Sequence, residues 1–461
     1  MFHRKRIDEW ALDYWLLQRY AKFWYRIFYR KIEVVNRHLI PENRPVILAP
    51  NHQNALMDAM VLTCNTEYQC VFLARADIFK GKMLVRFLTF ANIMPVYRIR
   101  DGIENVKKND EVFEKTVHVL RNKLNPLGIF PEGNHGDKRR LRNLVKGLFR
   151  IAFMAQEDYG DSKGVVIIPI GVDYGHYQNF RTTLFMNIGK PIEISDFMPV
   201  YRVNPVHAIN QLKERFSEAL STLMINIQTD AYYDMYMGLR EIFNEEMRTR
   251  LAIKGNTLSD RFRADKVMID MLNRELEAHP ETIDNLNTKV TDYKRALSLA
   301  GLRDWVLRKK QYAFSGLFLT AVVKLVLLPV FITGFITNWL PYWFTGSRAR
   351  TLKDTQFHSS FKFVIGMIAF PVWYLVIAGM LAFVPVEGYM KLIGFLMLPV
   401  LGLFAFHYYI GLLKFLSRFR YTVQVIRQNP EYLRMIELRK EILASINEIA
   451  DQNSPIHEGK E

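Results

Sequence analysis

Hydrophobic and polar positions change rhythm several times along the chain. From about residue 40 to 195, short apolar runs ("VILAP", "CVFLAR", "IMPVY", "PLGIFPEG", "VVIIPIGVDYG") alternate with helical-looking stretches, among them Gly102 to Lys123 and Leu144 to Glu157. Strand-length apolar runs separated by helices predict an α/β domain with a central sheet covered by helices. "FMNIGKPIEIS", Phe185 to Ser195, reads as a further strand with a Gly-Lys-Pro turn. From about 205 to 312 the apolar spacing becomes three and four residues, as in "FRADKVMIDMLNRELEA". That spacing predicts a charged helical connector, and His279-Pro280 predicts a break within it.

Three stretches then lack Asp, Glu, Lys and Arg altogether: Leu325 to Ser347, Phe363 to Val386 and Leu392 to Leu413. Each exceeds the ~20 residues that cross a hydrocarbon core as a helix. Basic residues flank the first stretch on both sides and follow the third, while the link "PVEGYMK" has no basic cluster. Three plain crossings would put basic clusters on both sides of a bilayer, against the positive-inside tendency. The expected arrangement is therefore a first segment that is re-entrant or interfacial, bent at Pro329, Gly334 or Pro341, followed by one helical hairpin. Both chain ends are then cytoplasmic. At the other end of the chain, Tyr14, Leu17, Ala21, Trp24, Tyr25 and Phe28 share one side of a helix. Their aromatics, with interleaved Arg and Lys, fit a helix lying at a membrane interface or packed on its own domain. No secretory leader is expected. The resulting division is an amphipathic N-terminal helix (1–38), the α/β domain (39–204), the connector (205–312), a membrane region with three apolar segments (313–416), and a C-terminal helix and tail (417–461).

Charge narrows the partners. Lys plus Arg number 62 against 46 Asp plus Glu, a formal net charge of +16. That excess favours anionic lipid or phosphate-bearing molecules; no zinc-finger spacing or RNP-type motif argues for nucleic acid, and none is expected as a partner. The two cysteines, Cys64 and Cys70, suggest buried reduced thiols rather than a disulfide framework.

Candidate chemistry begins at "PVILAPNHQNALMDAM", a strand running into a loop and then a helix. His52 and Asp58 lie six positions apart, about 600° of helical rotation, so on one continuous helix they would diverge. They meet only if His52 is in the loop and Asp58 in the first turn of the helix. The imidazole could then serve as a base oriented by the carboxylate, or both could belong to a capping loop. Arg98 and Arg100 in "IMPVYRIRDG" could grip a phosphate. Glu132 and Gly133 in "LGIFPEGNHGDKRR" sit in a turn after a strand, where a carboxylate could accept from hydroxyls and a glycine could admit a ligand. Pro169 interrupts an apolar strand where proline is disfavoured. "DKRRLR" could be a solvated or lipid-facing surface.

In this order and spacing, the four blocks resemble the glycerol-phosphate and lysophosphatidate acyltransferase family, whose pattern is NHxxxxD, an arginine block, FPEGTRS, and an apolar block with proline. The resemblance spans about residues 40 to 195. It implies a glycerolipid acyltransferase domain with His52 as general base, Asp58 as its partner, Arg98 on the phosphate, Glu132 and Gly133 lining the acceptor site, and Pro169 shaping the fourth block. Two departures matter: five residues separate His52 from Asp58 instead of four, and the third block reads EGNHG, so His135 takes the usual arginine position. Yeast-type glycerol-3-phosphate or dihydroxyacetone-phosphate acyltransferases are similarly stretched and carry a downstream Lys-Gly, here Lys146-Gly147. The resemblance therefore favours glycerol-3-phosphate as acceptor, with Lys146 on the phosphate and Arg139 or Lys146 supplying the missing cation. The implied protein is an integral membrane enzyme with a cytoplasmic catalytic domain. It would use acyl-CoA or acyl-carrier protein as cosubstrate, a glycerol-phosphate acceptor and membrane lipids, without a cofactor or metal. A lysophosphatidate acceptor and an inactive lipid-binding protein of the same fold are the alternatives.

Overall fold

The computed structural model describes residues 11–97, 108–121 and 125–453. They form two compact units, Met1–Asn226 with Ser347–Met367, and Ile227–Gly346 with Ile368–Glu461.

The first unit is α/β, with an eight-stranded mixed sheet flanked by helices. Its strands are β1 (Tyr29–Val35), β2 (Val46–Pro50), β3 (Val71–Arg75), β4 (Ile93–Val96), β5 (Leu127–Gly128), β6 (Val166–Tyr174), β7 (Thr182–Ile188) and β8 (Ile192–Glu193). The order is β1-β7-β6-β2-β5-β3-β4, with β8 also paired to β6. Strands β6, β2, β5, β3 and β4 run parallel, so their carboxyl ends share one edge, while β7 and β8 are antiparallel to β6. All five residues of β2 are buried, as its unbroken apolar run requires for an inner parallel strand. Pro169 does lie in an inner strand, opposite Ala49. Its carbonyl accepts from Gly189 N–H at 2.9 Å, so its ring nitrogen faces the same side, toward the turn between β7 and β8. The missing donor thus falls where the ladder is already interrupted.

Helices α1 (Leu12–Phe28), α2 (Leu56–Asn65), α3 (Lys82–Phe90), α4 (Lys108–Arg121) and α5 (Gly147–Gln156) belong to this unit. Tyr14, Ala21, Tyr25 and Phe28 of α1 are buried, and Tyr25 and Phe28 join the core that covers the sheet. Most of the face read as membrane-seeking is therefore packed on the helix's own unit. A second stripe, Leu12, Leu16, Tyr20 and Phe23, stands exposed on α1. The helix Pro205–Leu223, expected in the connector, also belongs here: Leu212, Phe216 and Leu220 are buried against Phe149 and its neighbours. The largest departure is residues 347–367, expected within the membrane region. Phe363 enters the core edge-on to Tyr25 and Phe28, and the buried Ser359 hydroxyl donates to Asn54 Oδ1 at 2.5 Å. Both cysteines are buried and free, and burial pushes their thiols up to about 12.

The second unit holds the charged helices. Leu258–Ala278 starts with a Thr257/Asp260 capping box, and the chain breaks at His279 before Pro280–Ala300. The C-terminal helix Pro430–Gln452 packs on Pro280–Ala300, and Arg439 Nε reaches the buried Asp304 at 2.8 Å. Among the described residues, two helices are long and apolar enough to cross a membrane, Thr355–Ala382 (which starts in the first unit) and Gly388–Ile426. A third span counts only if the bent pair Phe314–Val326 and Leu328–Ala349 forms one; these helices meet at 54°. The bend falls at Leu327, just before Pro329, where proline's preference for the first helical turn starts a new helix. Gly334 and Pro341 lie inside the second helix instead. Gly334 permits a close crossing, since a Cβ there would lie 2.3 Å from the Leu401 carbonyl oxygen.

Candidate active site

The carboxyl ends of β2, β5 and β6 meet where open α/β sheets place their ligand crevices. β2 runs out through Asn51, whose side chain extends the ladder: its Nδ2 donates to Val172 O at 3.1 Å, and its Oδ1 accepts from Val172 N–H at 2.6 Å. His52 follows in the loop and Asp58 sits in the first turn of α2, the arrangement their spacing demanded. Asp58 Oδ2 lies 2.8 Å from His52 Nδ1 and accepts the main-chain N–H of Gln53 (2.8 Å) and Asn54 (2.7 Å). Its Oδ1 accepts from Tyr174 OH at 2.5 Å. The carboxylate is wholly buried, so these donors supply the hydrogen bonds that water would otherwise give. Burial, then Asp58, pushes the Tyr174 phenol well above its ordinary range, which keeps it a donor. Between His52 and Asp58, Ala55, just before α2, takes a positive φ of 44°.

The imidazole of His52 stacks on Phe130 at 4.2 Å and meets the His135 ring edge-on at 5.5 Å. Its Nε2 has no hydrogen-bond partner among the described residues. With Nδ1–H directed at Asp58, the tautomer leaves Nε2 as a lone-pair acceptor.

Glu132 is engaged with its own protein. Its side chain is 2% exposed, and both oxygens are used inside the protein. Oε1 accepts the main-chain N–H of His52 at 2.8 Å, and Oε2 accepts Arg142 Nε at 2.8 Å. Burial raises the Glu132 carboxyl above its usual range, and the His52 N–H and Arg142 pull it back. Arg142 also donates from Nη1 to His135 O (2.8 Å) and from Nη2 to His52 O (3.3 Å) and Asn134 O. The pair clamps the His52 loop, and Glu132 also borders the cavity beside His52. Sequence reading passed over Arg142 inside "DKRRLR"; the lost block-three arginine was the available signal that another cation must stand nearby. Gly133 is likewise a turn residue. Its φ is 66°, and a Cβ there would lie 3.0 Å from Val145 Cγ1.

A small cavity beside His52 is lined by Gln53, Glu132, Lys138, Arg139, Arg140 and Asp173, among others. Arg139 Nε donates to Asp173 Oδ1 at 2.7 Å, and its Nη2 donates to Tyr174 O. Lys138, Arg139 and Arg140 of the run read as a solvated or lipid-facing surface thus border the cavity, with Lys138 also exposed. Lys146 stands exposed at the start of α5 and does not line this cavity. Arg98 and Arg100 lie outside the described residues.

His135 is held by residues from 347–367. Asp354 Oδ2 lies 3.4 Å from its Nε2, and Phe357 meets its ring edge-on at 4.9 Å. Burial, then the neighbouring His52, holds the His135 imidazole below its ordinary range, so it supplies no permanent cation in place of arginine. Among the described residues, no group of three or more His, Cys, Asp or Glu side chains is placed to hold a metal ion.

Comparison with known proteins follows this geometry. The chain is 24% identical over 289 residues to glycerol-3-phosphate O-acyltransferase 1 of Saccharomyces cerevisiae, covering 57% of this chain and 36% of that protein. It is 24% identical over 232 residues to glycerol-3-phosphate O-acyltransferase 2 of the same yeast, covering 48% and 29%. The chain thus spans about a third of the length of these curated relatives. Among solved structures, PlsC, the 1-acyl-sn-glycerophosphate acyltransferase of Thermotoga maritima, is 17% identical, with a TM-score of 0.32 over 45% of this chain and 80% of that one. Residues 31–173, which hold the His52–Asp58 pair and the Glu132 clamp, match the Acyltransferase family model.

Proposed function

We propose that the chain is a membrane-bound O-acyltransferase that moves a fatty acyl group from an acyl thioester to glycerol-3-phosphate. One observation carries the proposal: His52, oriented by a buried carboxylate and open at Nε2, borders a cavity walled by Lys138, Arg139 and Arg140. An alcohol is a weak nucleophile at neutral pH. His52 Nε2 takes the hydroxyl proton as the oxygen attacks the thioester carbonyl carbon, and the carbonyl electron pair moves onto oxygen. The tetrahedral intermediate collapses, the C–S bond breaks, and the thiolate recovers the proton from His52. The basic wall holds the acceptor phosphate, which makes orientation a large part of the rate. The glycerol-3-phosphate relatives support the acceptor, and acyl-CoA or acyl-carrier protein supplies the thioester.

The apolar helices keep the enzyme with its amphiphilic product, and the exposed α1 stripe with nearby Arg19 and Arg26 offers lipid a second contact. We place the catalytic domain and both chain ends in the cytoplasm, on the basic clusters; a C-terminal tag labelled from the opposite side would refute that placement.

The deciding assay uses purified protein, labelled acyl-CoA and three acceptors: glycerol-3-phosphate, dihydroxyacetone phosphate and lysophosphatidate. Fastest turnover is expected with glycerol-3-phosphate, and faster transfer to lysophosphatidate overturns the acceptor assignment. Arg98→Ala is expected to raise the acceptor KM about tenfold, the loss of roughly one charge-assisted contact. A change confined to the donor KM removes Arg98 from the phosphate site.

A further inference from the structure

The intermediate drawn above carries a negative oxygen, and such oxygens are stabilised by preorganised donors. Four of the main-chain N–H groups around His52 are already taken. That of His52 donates to Glu132, those of Gln53 and Asn54 donate to Asp58, and that of Gly136 donates to His52 O. The side-chain amides of the neighbouring asparagines are spent as well, Asn51 on Val172 and Asn54 on Tyr177. Gln53 differs. The residue is 4% exposed, its Nε2 has no hydrogen-bond partner among the described residues, and the residue lines the cavity beside His52.

A buried donor left unpaired works against the fold, and a methionine of similar length would fill the same space without that penalty. The side-chain amides of Asn51 and Asn54 are both paired, so the loop is well able to pair its amide groups. Gln53 follows the base directly in the chain and lines the same cavity, where an acyl carbonyl must come within reach of the activated hydroxyl.

We propose that the side-chain amide of Gln53 is the oxyanion donor of the acyl transfer. Its Nε2–H meets the thioester carbonyl oxygen as the C–O bond forms and the carbonyl pair localises on that oxygen. The contact is released when the carbonyl re-forms and the C–S bond breaks. His52 and Gln53, adjacent in the chain, divide the work: one takes the proton, the other holds the charge. The inference rests on the acyl-transfer reading.

The test compares wild type, Gln53→Met and Gln53→Glu as full-length protein in detergent, with labelled acyl-CoA and glycerol-3-phosphate, normalised to folded, monodisperse enzyme. Gln53→Met is expected to lower kcat about 100-fold, the scale of removing one oxyanion donor, with both KM values within about threefold. Its Tm is expected at or above wild type, because no hydrogen bond is lost in the resting state. Gln53→Glu keeps the shape and removes the N–H, so its kcat falls at least as far. A Gln53→Met or Gln53→Glu enzyme with kcat within threefold of wild type overturns the oxyanion role. A kcat loss accompanied by a matching fall in Tm also overturns it, by making Gln53 a structural residue. A wild type that transfers acyl groups to none of the three acceptors overturns the acyl-transfer reading and this one with it.

Discussion

Asp58 in the first unit and Asn338 in the second are both buried polar groups, and each is satisfied differently. Asn338 closes on itself and its neighbours: Nδ2 donates to Gly334 O (3.0 Å) and Leu398 O (3.2 Å), and Oδ1 accepts from Tyr374 OH at 2.7 Å. Gly402 makes room for it, since a Cβ there would lie 2.5 Å from Asn338 Oδ1. The bonds of that centre tie three helices together. Asp58 is as fully bonded, yet one of its donors is an imidazole whose far nitrogen stays open beside a basic cavity. The lesson lies in the loose end: a closed polar centre builds, and an open one acts.

Four experiments break or sharpen this contrast. The largest effect is expected from His52→Ala, which should cut turnover on the order of 10²–10⁴-fold while Tm stays close to wild type. A parallel loss of Tm would make the open centre architectural too. Next is Arg142→Met, which leaves Glu132 buried without its cation. A stability loss of about 3 kcal/mol is expected from denaturant unfolding, with Arg142→Lys intermediate because an ammonium cannot span the same acceptors. Asn338→Leu should cost about 1 kcal/mol, read as a lower Tm in detergent. The smallest effect concerns His135. Its NMR titration midpoint should lie below the ordinary histidine value, and Asp354→Asn should lower it further, because Asp354 favours the charged ring. The unfolded chain takes up that proton first, so this group's contribution to stability falls as pH drops through the ordinary histidine range.

How much of this was legible depended on distance along the chain. The strand-loop-helix around His52 could be read because every part lies within a few residues, and the awkward six-position interval itself required a loop before the helix. The sheet was equally readable from its apolar runs. The Glu132 clamp was not legible because its partners are His52, 80 residues upstream, and Arg142 at the end of a basic run. Pro169 looked misplaced until the turn at Gly189 showed that its missing donor had no ladder to serve. Residues 347–367 could not be assigned from pattern, since helical periodicity does not say which core a helix end enters. The bend at Leu327 was anticipated in kind and missed by two residues.

That last segment governs how the catalytic unit can be made. Its core includes Phe363, and its active-site loop is tied to Ser359. On the ribosome, the unit must therefore wait with an unfinished core until a long greasy stretch has already been synthesised and dealt with by the insertion machinery. A shortened gene ending near residue 226 should yield a sticky, chaperone-bound product, whereas co-producing residues 347–367 as a separate peptide should rescue its solubility.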